Sequence, residues 1–365
     1  MTLGAELFPR VPVRRLAAVR IVVAAYTVVD LLVYRSWIAS AAAPDVLHEP
    51  FGLLRVLHAP RLDTAPLAAL WGTSVLLGIV VLVGWHARPA AFTLALTYGW
   101  WLGEHWAYGV PNHGRTVIVV ALVVLSTSPS GLRWSLDARR SRRRGTPEPP
   151  ATSRSAGWAI EVVALQLTFL YFCSAVFKLV YAGPGWWHGG AIEAGIVLVG
   201  PQWSLELASD HLGVLHALAL GALLWELAAP LLLVRGRCRR GYAMTAILFH
   251  LSVLLVMGVD FTGMAVACLA MFRLERAGQR IVVAAGVLGD RADNSVAAEV
   301  DRVAGRTRCV PALRPVAPQT EEEPQRHGPV RRRAASPPSA WSPWRSAHAL
   351  PVPHPPHRTR RSRRP

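Results

Sequence analysis

Charged residues are scarce in this sequence, at 17% of 365 residues, whereas an average soluble domain has about 25%. Apolar residues supply 52%, and the mean hydropathy is +0.32. This balance excludes an ordinary soluble enzyme. No spacing among the four cysteines suits zinc or a redox pair, and the chain has no P-loop, Rossmann fingerprint or HExxH motif. The sequence therefore predicts no metal site.

The basic charge is concentrated in two stretches. The net charge is +17. Residues 133–154 hold seven Arg against two acidic residues, and residues 301–365 hold fourteen Arg against four. The remainder is nearly neutral and strongly apolar, so the charge indicates a membrane protein with basic cytoplasmic segments. Because no folded recognition module accompanies the arginines, we exclude a nucleic-acid binder.

Apolar runs predict the spans. A helix needs about 20 mostly apolar residues to cross a bilayer, and that length gives eight candidates. They are residues 16–34, 66–84, 88–108, 115–129, 157–181, 213–234, 241–257 and 259–273. The fourth and the eighth are short, and only Gly258 and Asp260 separate the last two. Counts of seven and nine therefore stay open beside eight.

Arginine clusters lie in alternate connections, and an even number of spans places all of them on one side. The positive-inside rule makes that side cytoplasmic. We predict an all-α integral membrane protein with about eight transmembrane helices over residues 12–275, multi-pass in the plasma membrane, with both termini cytoplasmic. Residues 276–365 are expected to be a mostly disordered, basic Arg/Pro-rich C-terminal tail. The outer connection 182–212 is expected to form a turn and one short interfacial helix.

Lysine is almost absent. The chain has 39 basic side chains, and Lys178, inside the fifth span, is its one lysine. A buried Lys can lose its proton and act as a base, which Arg cannot do. The alternative is that an arginine-rich composition leaves one lysine by chance, and that its side chain extends to the outer interface. Tyr171 and Ser174 share its helix face and indicate either the lining of a cavity or contacts between helices.

A second group, Pro111-Asn112-His113-Gly114, stands at the outer start of the fourth span. A neutral imidazole there can shuttle a proton or donate to a developing oxyanion, and the neighbouring amide can orient it. The alternative is an exposed turn in which Asn112 caps the next helix.

Four further ionisable groups lie within the spans: Asp30, Glu161, Glu226 and His250. Each needs a partner or a neutral form in the membrane, and for Asp30 we expect partners on other helices. Structural and functional roles are equally open for each. Glu104, in an aromatic belt at the outer end of the third span, is expected to be solvated.

The order of these pieces resembles a known family. Asn112-His113 opens one span, Tyr171-Phe172-Cys173-Ser174-Ala175-Val176-Phe177-Lys178-Leu179 closes the next, and Trp186 to Gly189 follows as Trp-x-x-Gly. Glu226 and then Phe249-His250 come in later spans. Over about residues 12–275 the chain resembles the horizontally transferred transmembrane (HTTM) domain, the bacterial relatives of vitamin K-dependent gamma-glutamyl carboxylase.

The resemblance implies quinol chemistry. In the carboxylase, the matching lysine is regarded as the base that deprotonates reduced vitamin K, and the matching histidine as its support. The resemblance makes Lys178 the base, His113 its assistant and Asn112 the residue that orients the imidazole. It implies a reduced quinone, menaquinol or a vitamin K-like molecule, as cofactor and no metal. The implied pocket residues are Tyr171, Ser174, Trp186, Gly189, Glu226 and His250. His188 stands where the carboxylase has the glutamate of Trp-Val-Glu-Gly, so quinol chemistry carries over ahead of carboxylation.

Two other functions stay open. One is a non-enzymatic membrane component of a secreted-peptide maturation or export system, in which a peptide or protein partner binds the tail or the outer loops and Lys178 only packs. The other is a transporter, which ranks last because the sequence shows no inverted repeat. The lipid bilayer is a partner in each case.

Overall fold

A computed structural model describes residues 8–50, 52–109 and 112–276, which are mostly helical. The longer helices are α1 Val13–Val33, α2 Thr64–Val83, α3 Ala87–Trp106, α4 Thr116–Thr127, α5 Leu136–Arg143, α6 Arg154–Phe177, α7 Gly190–Val199, α8 Gln202–Asp210, α9 Leu212–Leu227, α10 Arg237–Met257 and α11 Thr262–Cys268. Shorter helical segments are Arg35–Ala42, Asp45–Leu47, Leu53–Val56, His113–Arg115, Lys178–Ala182, Pro184–Trp187, Ala229–Leu232 and Leu269–Met271. Strands β1 (Val11–Pro12) and β2 (Thr152–Ser153) pair antiparallel. The predicted tail beyond residue 276 lies outside the described residues.

Among the described residues, four helices are long and apolar enough to cross a membrane. They are α1, α2, α6 together with its extension to Ala182, and α10, with mean hydropathies from 1.5 to 2.2. They coincide with the first, second, fifth and seventh predicted spans. Large apolar side chains such as Leu76, Phe169 and Leu255 stay exposed on them. Side chains of this kind suit contact with lipid, and the chain is a membrane protein.

The other four predicted spans are shorter or more polar. Helix α3 has 20 residues but is not among the four apolar ones, while α4 has 12 residues and α11 has seven. The sixth predicted span is divided, because α9 ends at Leu227 and a separate 3-10 segment holds Pro230. Proline interrupts the helical hydrogen bonds there. Helix length and composition therefore support four spans and do not confirm eight.

The last two predicted spans are separate helices. Helix α10 ends at Met257, and Gly258 follows in the left-handed conformation with φ +68°. Glycine adopts this conformation without the steric penalty that a Cβ atom brings. The carbonyl of Val199 also lies where a Cβ atom of residue 258 would be. One continuous bent helix is therefore excluded here.

The pairing of β1 with β2 brings the starts of two long helices together. Val11 pairs with Ser153, which joins the start of α1 to the start of α6. The chain that holds α1 to α4 therefore comes back to the end of the bundle where it began. We call this the basic end, because Arg14 and Arg15 stand at the start of α1 and Arg154 at the start of α6. Lys178 follows the opposite end of α6.

The connection 182–212 is more structured than predicted. A helical turn, Pro184–Trp187, precedes two helices, α7 and α8, where one short helix was expected. Helix α7 packs on α9 through Ile192, Ile196, Leu215 and Ala219, which form a small core separate from that of the main bundle.

Glu104 is buried, which corrects its predicted solvation. Its side chain is 2% exposed, and it lies 3.4 Å from His48 Nε2. Trp100 Nε1 also donates to it at 3.0 Å. The prediction was wrong because His48, from the connection between α1 and α2, packs against the aromatic end of α3.

Candidate functional site

Lys178 and Glu226 form a close ion pair where α6 and α9 end. Lys178 Nζ donates to both carboxylate oxygens of Glu226 at 2.6 Å. The Lys178 side chain is 15% exposed and that of Glu226 is 7% exposed. Ser174, one turn earlier on α6, donates to the same carboxylate at 3.3 Å. The helix face predicted for Ser174 and Lys178 is therefore an ionic contact with α9.

The backbone changes its winding at Lys178. Helix α6 gives way to a π-helical segment, Lys178–Ala182, and such wide turns are common at functional sites. Trp186 then packs its ring under the ammonium group, with Lys178 Nζ 4.1 Å from the ring centroid. The face of an indole attracts a cation. Lys178 thus has a carboxylate on one side and an aromatic face on another.

Gly189 ends the Trp-x-x-Gly segment and does not contact the ion pair. It adopts φ +80°, and a Cβ atom there would lie 3.0 Å from Leu215 and 3.1 Å from His216. Its amide donates to the carbonyl of Trp186 at 3.0 Å. Gly189 therefore has a positional role, because it lets the turn that carries Trp186 approach α9 closely.

Tyr171 and His250 form a second pair deeper along α6. The Tyr171 hydroxyl and His250 Nε2 lie 2.8 Å apart, and the two residues are 2% and 3% exposed. Cys268 Sγ is 3.8 Å from the same hydroxyl. The other ring nitrogen, His250 Nδ1, is buried and has no hydrogen-bond partner within the described structure. A buried polar atom of this kind needs a partner, so it marks a position that a ligand can satisfy.

Aromatic rings connect these groups. Trp225, next to Glu226, lies 4.9 Å from the Tyr171 ring and stacks on Phe249 at 4.5 Å. Phe261 lies 5.9 Å from the ring of His250. The result is an apolar wall beside the ion pair, of the kind that flat aromatic ligands pack against.

His113 reaches this wall through Phe261, at a ring separation of 5.1 Å. Its own side chain is exposed, and it interacts electrostatically with Lys178. Asn112 acts as the cap of the turn that follows, because its Oδ1 accepts from the amide of Gly114 at 2.8 Å. Its Nδ2 donates to the carbonyl of Asp260 at 2.7 Å. Asn112 thus holds the backbone that carries His113 against the segment that carries Phe261.

A separate ionic cluster lies beside this turn. Arg115 Nε donates to Asp30 at 2.8 Å, and Arg115 Nη2 donates to Asp260 at 2.6 Å. The hydroxyl of Tyr98 donates to Asp30 at 2.8 Å, and that of Tyr34 donates to Asp260 at 2.7 Å. The expected partners of Asp30 on other helices are thereby confirmed. We call this group the Arg115 cluster.

Glu161 belongs to a third arrangement at the basic end. Arg239 donates to its two carboxylate oxygens at 3.0 and 2.7 Å, and Arg235 donates at 3.1 Å. The fork geometry of Arg239 suits a fixed structural bridge between α6 and α10. Glu161 therefore lies apart from Lys178, although both belong to α6.

The structure brings together most of the predicted site residues and adds others. Lys178, Glu226, Ser174 and Trp186 make direct contacts, and Tyr171 pairs with His250 beside them. The sequence reasoning missed Arg115, Asp260, Trp225 and Phe261. Two of them could have been found from their place in the sequence, because Trp225 directly precedes Glu226 and Arg115 follows His113 by two residues. In the described part of the chain, no three His, Cys, Asp or Glu side chains are grouped to hold a metal ion.

Comparison with known proteins gives one match. The family model of the HTTM domain matches residues 8–274, a range that holds all the groups described above. No curated protein and no solved structure matches the chain.

Proposed function

Since this chain belongs to the HTTM domain family, a membrane family related to vitamin K-dependent carboxylase, we propose that it is an enzyme that acts on a reduced quinone with Lys178 as its base. The observation that carries the proposal is the pair of 2.6 Å contacts between Lys178 Nζ and Glu226. The one lysine of the chain is held by a carboxylate and lies against an aromatic ring. One turn before Ser174, Tyr171 pairs with His250, whose Nδ1 is buried and has no hydrogen-bond partner among the described residues.

The ion pair can provide a base inside a membrane. When the ammonium of Lys178 passes a proton to Glu226, both groups become neutral, which suits an apolar environment. Lys178 Nζ then has a lone pair that accepts a proton from a quinol hydroxyl. The ammonium that forms lies over the face of Trp186, which attracts it. Arginine cannot replace Lys178 in this step because a guanidinium keeps its proton.

The surrounding residues suit a quinone ring. His250 Nδ1 and Trp186 Nε1 are buried without hydrogen-bond partners in the described structure, and the two oxygens of a quinone can receive such donors. Phe261 supplies an aromatic ring near His250, and Trp225 is already stacked on Phe249. The quinol supplies two acidic hydroxyls and two electrons for reduction of oxygen. His113, exposed and joined to the wall through Phe261, assists by moving a proton between the site and solvent.

We also propose the orientation of the site. The starts of α1 and α6, with their arginines, lie together at the basic end, and the positive-inside rule assigns such an end to the cytoplasm. Lys178, beyond the other end of α6, then faces the outer side of the plasma membrane. A hydrophobic quinol reaches the site from within the bilayer.

The test is quinol turnover by the purified full chain. Reduced menaquinone is offered in air to the wild type, to Lys178→Ala and to Lys178→Arg, and the oxidised quinone or its epoxide is measured by mass spectrometry. Lys178→Arg is the matched control because it retains a cation for Glu226 but cannot act as a base. We expect turnover in the wild type and a loss of at least about a hundredfold in both variants. Full activity in Lys178→Arg, or equal turnover in all three proteins, would contradict the proposal.

A further inference from the structure

A cavity of about 540 Å³ opens at the basic end, whereas Lys178 follows the opposite end of α6. The turn between α2 and α3, the segment after α4, and helix α5 enclose it. Its lining combines apolar side chains, hydroxyls and arginines. The lining residues used below are Ala87, Leu132, Ala138, Ser141, Arg142 and Thr146. A smaller cavity of about 220 Å³ adjoins it and shares Ser141 and Thr146, with Arg140 and Arg144 on its wall.

The walls of this cavity are fixed by hydrogen bonds. Asp137 accepts from the backbone amides of His86 and Ala87 at 2.9 and 2.8 Å, which ties α5 to the start of α3. Ser135 caps α5 by accepting from the amide of Ala138 at 2.9 Å. Arg133 pairs with Glu148 and donates to the carbonyl of Pro149 at 2.8 Å. The cavity is therefore a built feature of the fold.

Its two acidic groups are already engaged. Asp137 is held by the amides at the start of α3, and Glu148 is paired with Arg133. The Arg133 guanidinium accordingly lowers the pKa of Glu148. A cationic ligand would find no free carboxylate in this cavity.

Three arginines remain available for a ligand. The side chains of Arg140, Arg142 and Arg144 are exposed and make no hydrogen bond or ion pair within residues 8–50, 52–109 and 112–276. Arg142 lines the larger cavity, Arg140 and Arg144 line the smaller one, and Ser141 and Thr146 line both. Guanidinium groups beside hydroxyl donors match the oxygens of a phosphate group. The vacant donors therefore point to an anion.

The position of the cavity, next to the end of a membrane-spanning helix, indicates which kind of anion it suits. Helix α2, one of the four membrane-crossing helices, ends at Val83, and the cavity wall begins at Ala87. Leu132 and Ala138 make part of the lining apolar. A site at the end of a span, with an apolar part and a cationic rim, suits a molecule that is itself apolar at one end and anionic at the other. We infer that this cavity binds the phosphate headgroup of an anionic phospholipid.

The experiment measures lipid binding to the purified full chain in an uncharged detergent. The readout is the midpoint of thermal unfolding, followed by tryptophan fluorescence, as lipid is added. Phosphatidylglycerol is the anionic probe, phosphatidylcholine tests whether an acyl chain suffices, and inorganic phosphate tests whether the anion suffices. We expect a saturable rise of the midpoint with phosphatidylglycerol alone, since ligands that bind the folded state raise it.

Two variants test the site. The triple variant Arg140→Gln/Arg142→Gln/Arg144→Gln removes the free cations, and Arg331→Gln/Arg332→Gln/Arg333→Gln removes the same charge from the C-terminal stretch. Ser141→Phe fills the cavity and leaves every charge in place. Because each cation near an anionic lipid surface contributes about fivefold in affinity, we expect a loss of roughly a hundredfold in the first triple variant. A loss of at least about tenfold is expected in Ser141→Phe, and little change in the control.

The unfolding midpoints without lipid show whether each variant is folded. If Ser141→Phe does not fold, the comparison of the two triple variants decides alone. Equal weakening of both triple variants would overturn the inference, because charge in general would then attract the lipid. A midpoint shift with inorganic phosphate equal to that with phosphatidylglycerol would also overturn it, in favour of a site for free phosphate.

Discussion

The Arg115 cluster and the Lys178 pair are two ionic groups within the helical bundle, and they are built differently. Arg115 is 3% exposed and is held by two carboxylates, and two tyrosine hydroxyls donate to the same two carboxylate groups. Lys178 is 15% exposed and has one carboxylate and one aromatic face. The first cluster thus has four side chains around one cation. Near the second, the Tyr171–His250 pair leaves His250 Nδ1 without a hydrogen-bond partner in the part of the chain that the structure describes.

The difference separates a structural group from a reactive one. A guanidinium cannot change its protonation state, and its fixed fork of donors suits a permanent cross-link between helices. An amine can exchange its proton with a carboxylate 2.6 Å away. Arg115, which keeps its charge, is therefore paired with two carboxylates, whereas Lys178, which can lose its charge, is paired with one. The predictions below test whether stability depends on the Arg115 cluster and turnover on the Lys178 pair.

The largest effect is expected for Arg115→Leu. The change leaves Asp30 and Asp260 without their cation, and removal of one partner from a buried ion pair costs about 3–5 kcal/mol. The measurement is the unfolding midpoint in detergent, beside the yield of monodisperse protein. Lys178→Met is the comparison, and we expect a smaller loss because Glu226 can take up a proton. Equal destabilisation by the two changes would remove the distinction between the clusters.

A smaller effect is expected for Glu226→Gln. The amide keeps the shape of the side chain but cannot receive a proton from Lys178, so turnover of reduced quinone should fall by roughly a hundredfold. The unfolding midpoint should change little. Glu161→Gln is the control, since Glu161 is also a carboxylate facing a helix of the bundle but is bound by Arg239. Reduced turnover in the control alone would contradict the assignment.

Tyr171→Phe and Tyr34→Phe apply the same chemical change to the two regions. Loss of the Tyr171 hydroxyl leaves His250 Nε2 without a partner, and we expect turnover to fall about tenfold. Loss of the Tyr34 hydroxyl removes one donor from Asp260, and we expect a lower unfolding midpoint with unchanged turnover. The opposite pattern, in which Tyr34→Phe reduces turnover and Tyr171→Phe does not, would reverse the two roles.

The smallest effect is expected for Asn112→Ala. It removes the cap on Gly114 and the hydrogen bond to the carbonyl of Asp260, and loss of such a cap costs about 1 kcal/mol. Asn112→Asp retains the capping oxygen and should recover about half of that loss. If Asn112→Ala abolishes turnover without lowering the unfolding midpoint, then the amide takes a direct part in the chemistry.

Much of the site could be predicted because its residues follow one another on single helices. Tyr171, Ser174 and Lys178 share a face by helical spacing alone, and the solitary lysine was visible in the composition. Partners across helices could not be predicted in the same way. No local pattern pairs Lys178 with Glu226, 48 residues later, or Asp30 with Arg115, 85 residues later, because such pairs depend on how the helices pack.

The fold was less predictable than the site. The length of the apolar runs correctly predicted α1, α2, α6 and α10, because an apolar run of about 20 residues is long enough to form a membrane-spanning helix. It overestimated the length of the sixth helix, because α9 ends at Leu227 and a separate 3-10 segment with Pro230 follows. It also missed the burial of Glu104, which depends on His48 from a connection with no apolar signal.

The single lysine offers the most direct test of the central claim, that Lys178 contacts the quinone. Full-length protein labelled with ¹³C only at the Cε position of lysine gives one Cε resonance, which needs no assignment because the chain has one lysine. We predict that oxidised menaquinone shifts this resonance in a saturable manner, and that the shift is reduced in Glu226→Gln. A resonance that does not move at saturating quinone, in protein that still oxidises quinol, would show that the reaction takes place elsewhere in the chain.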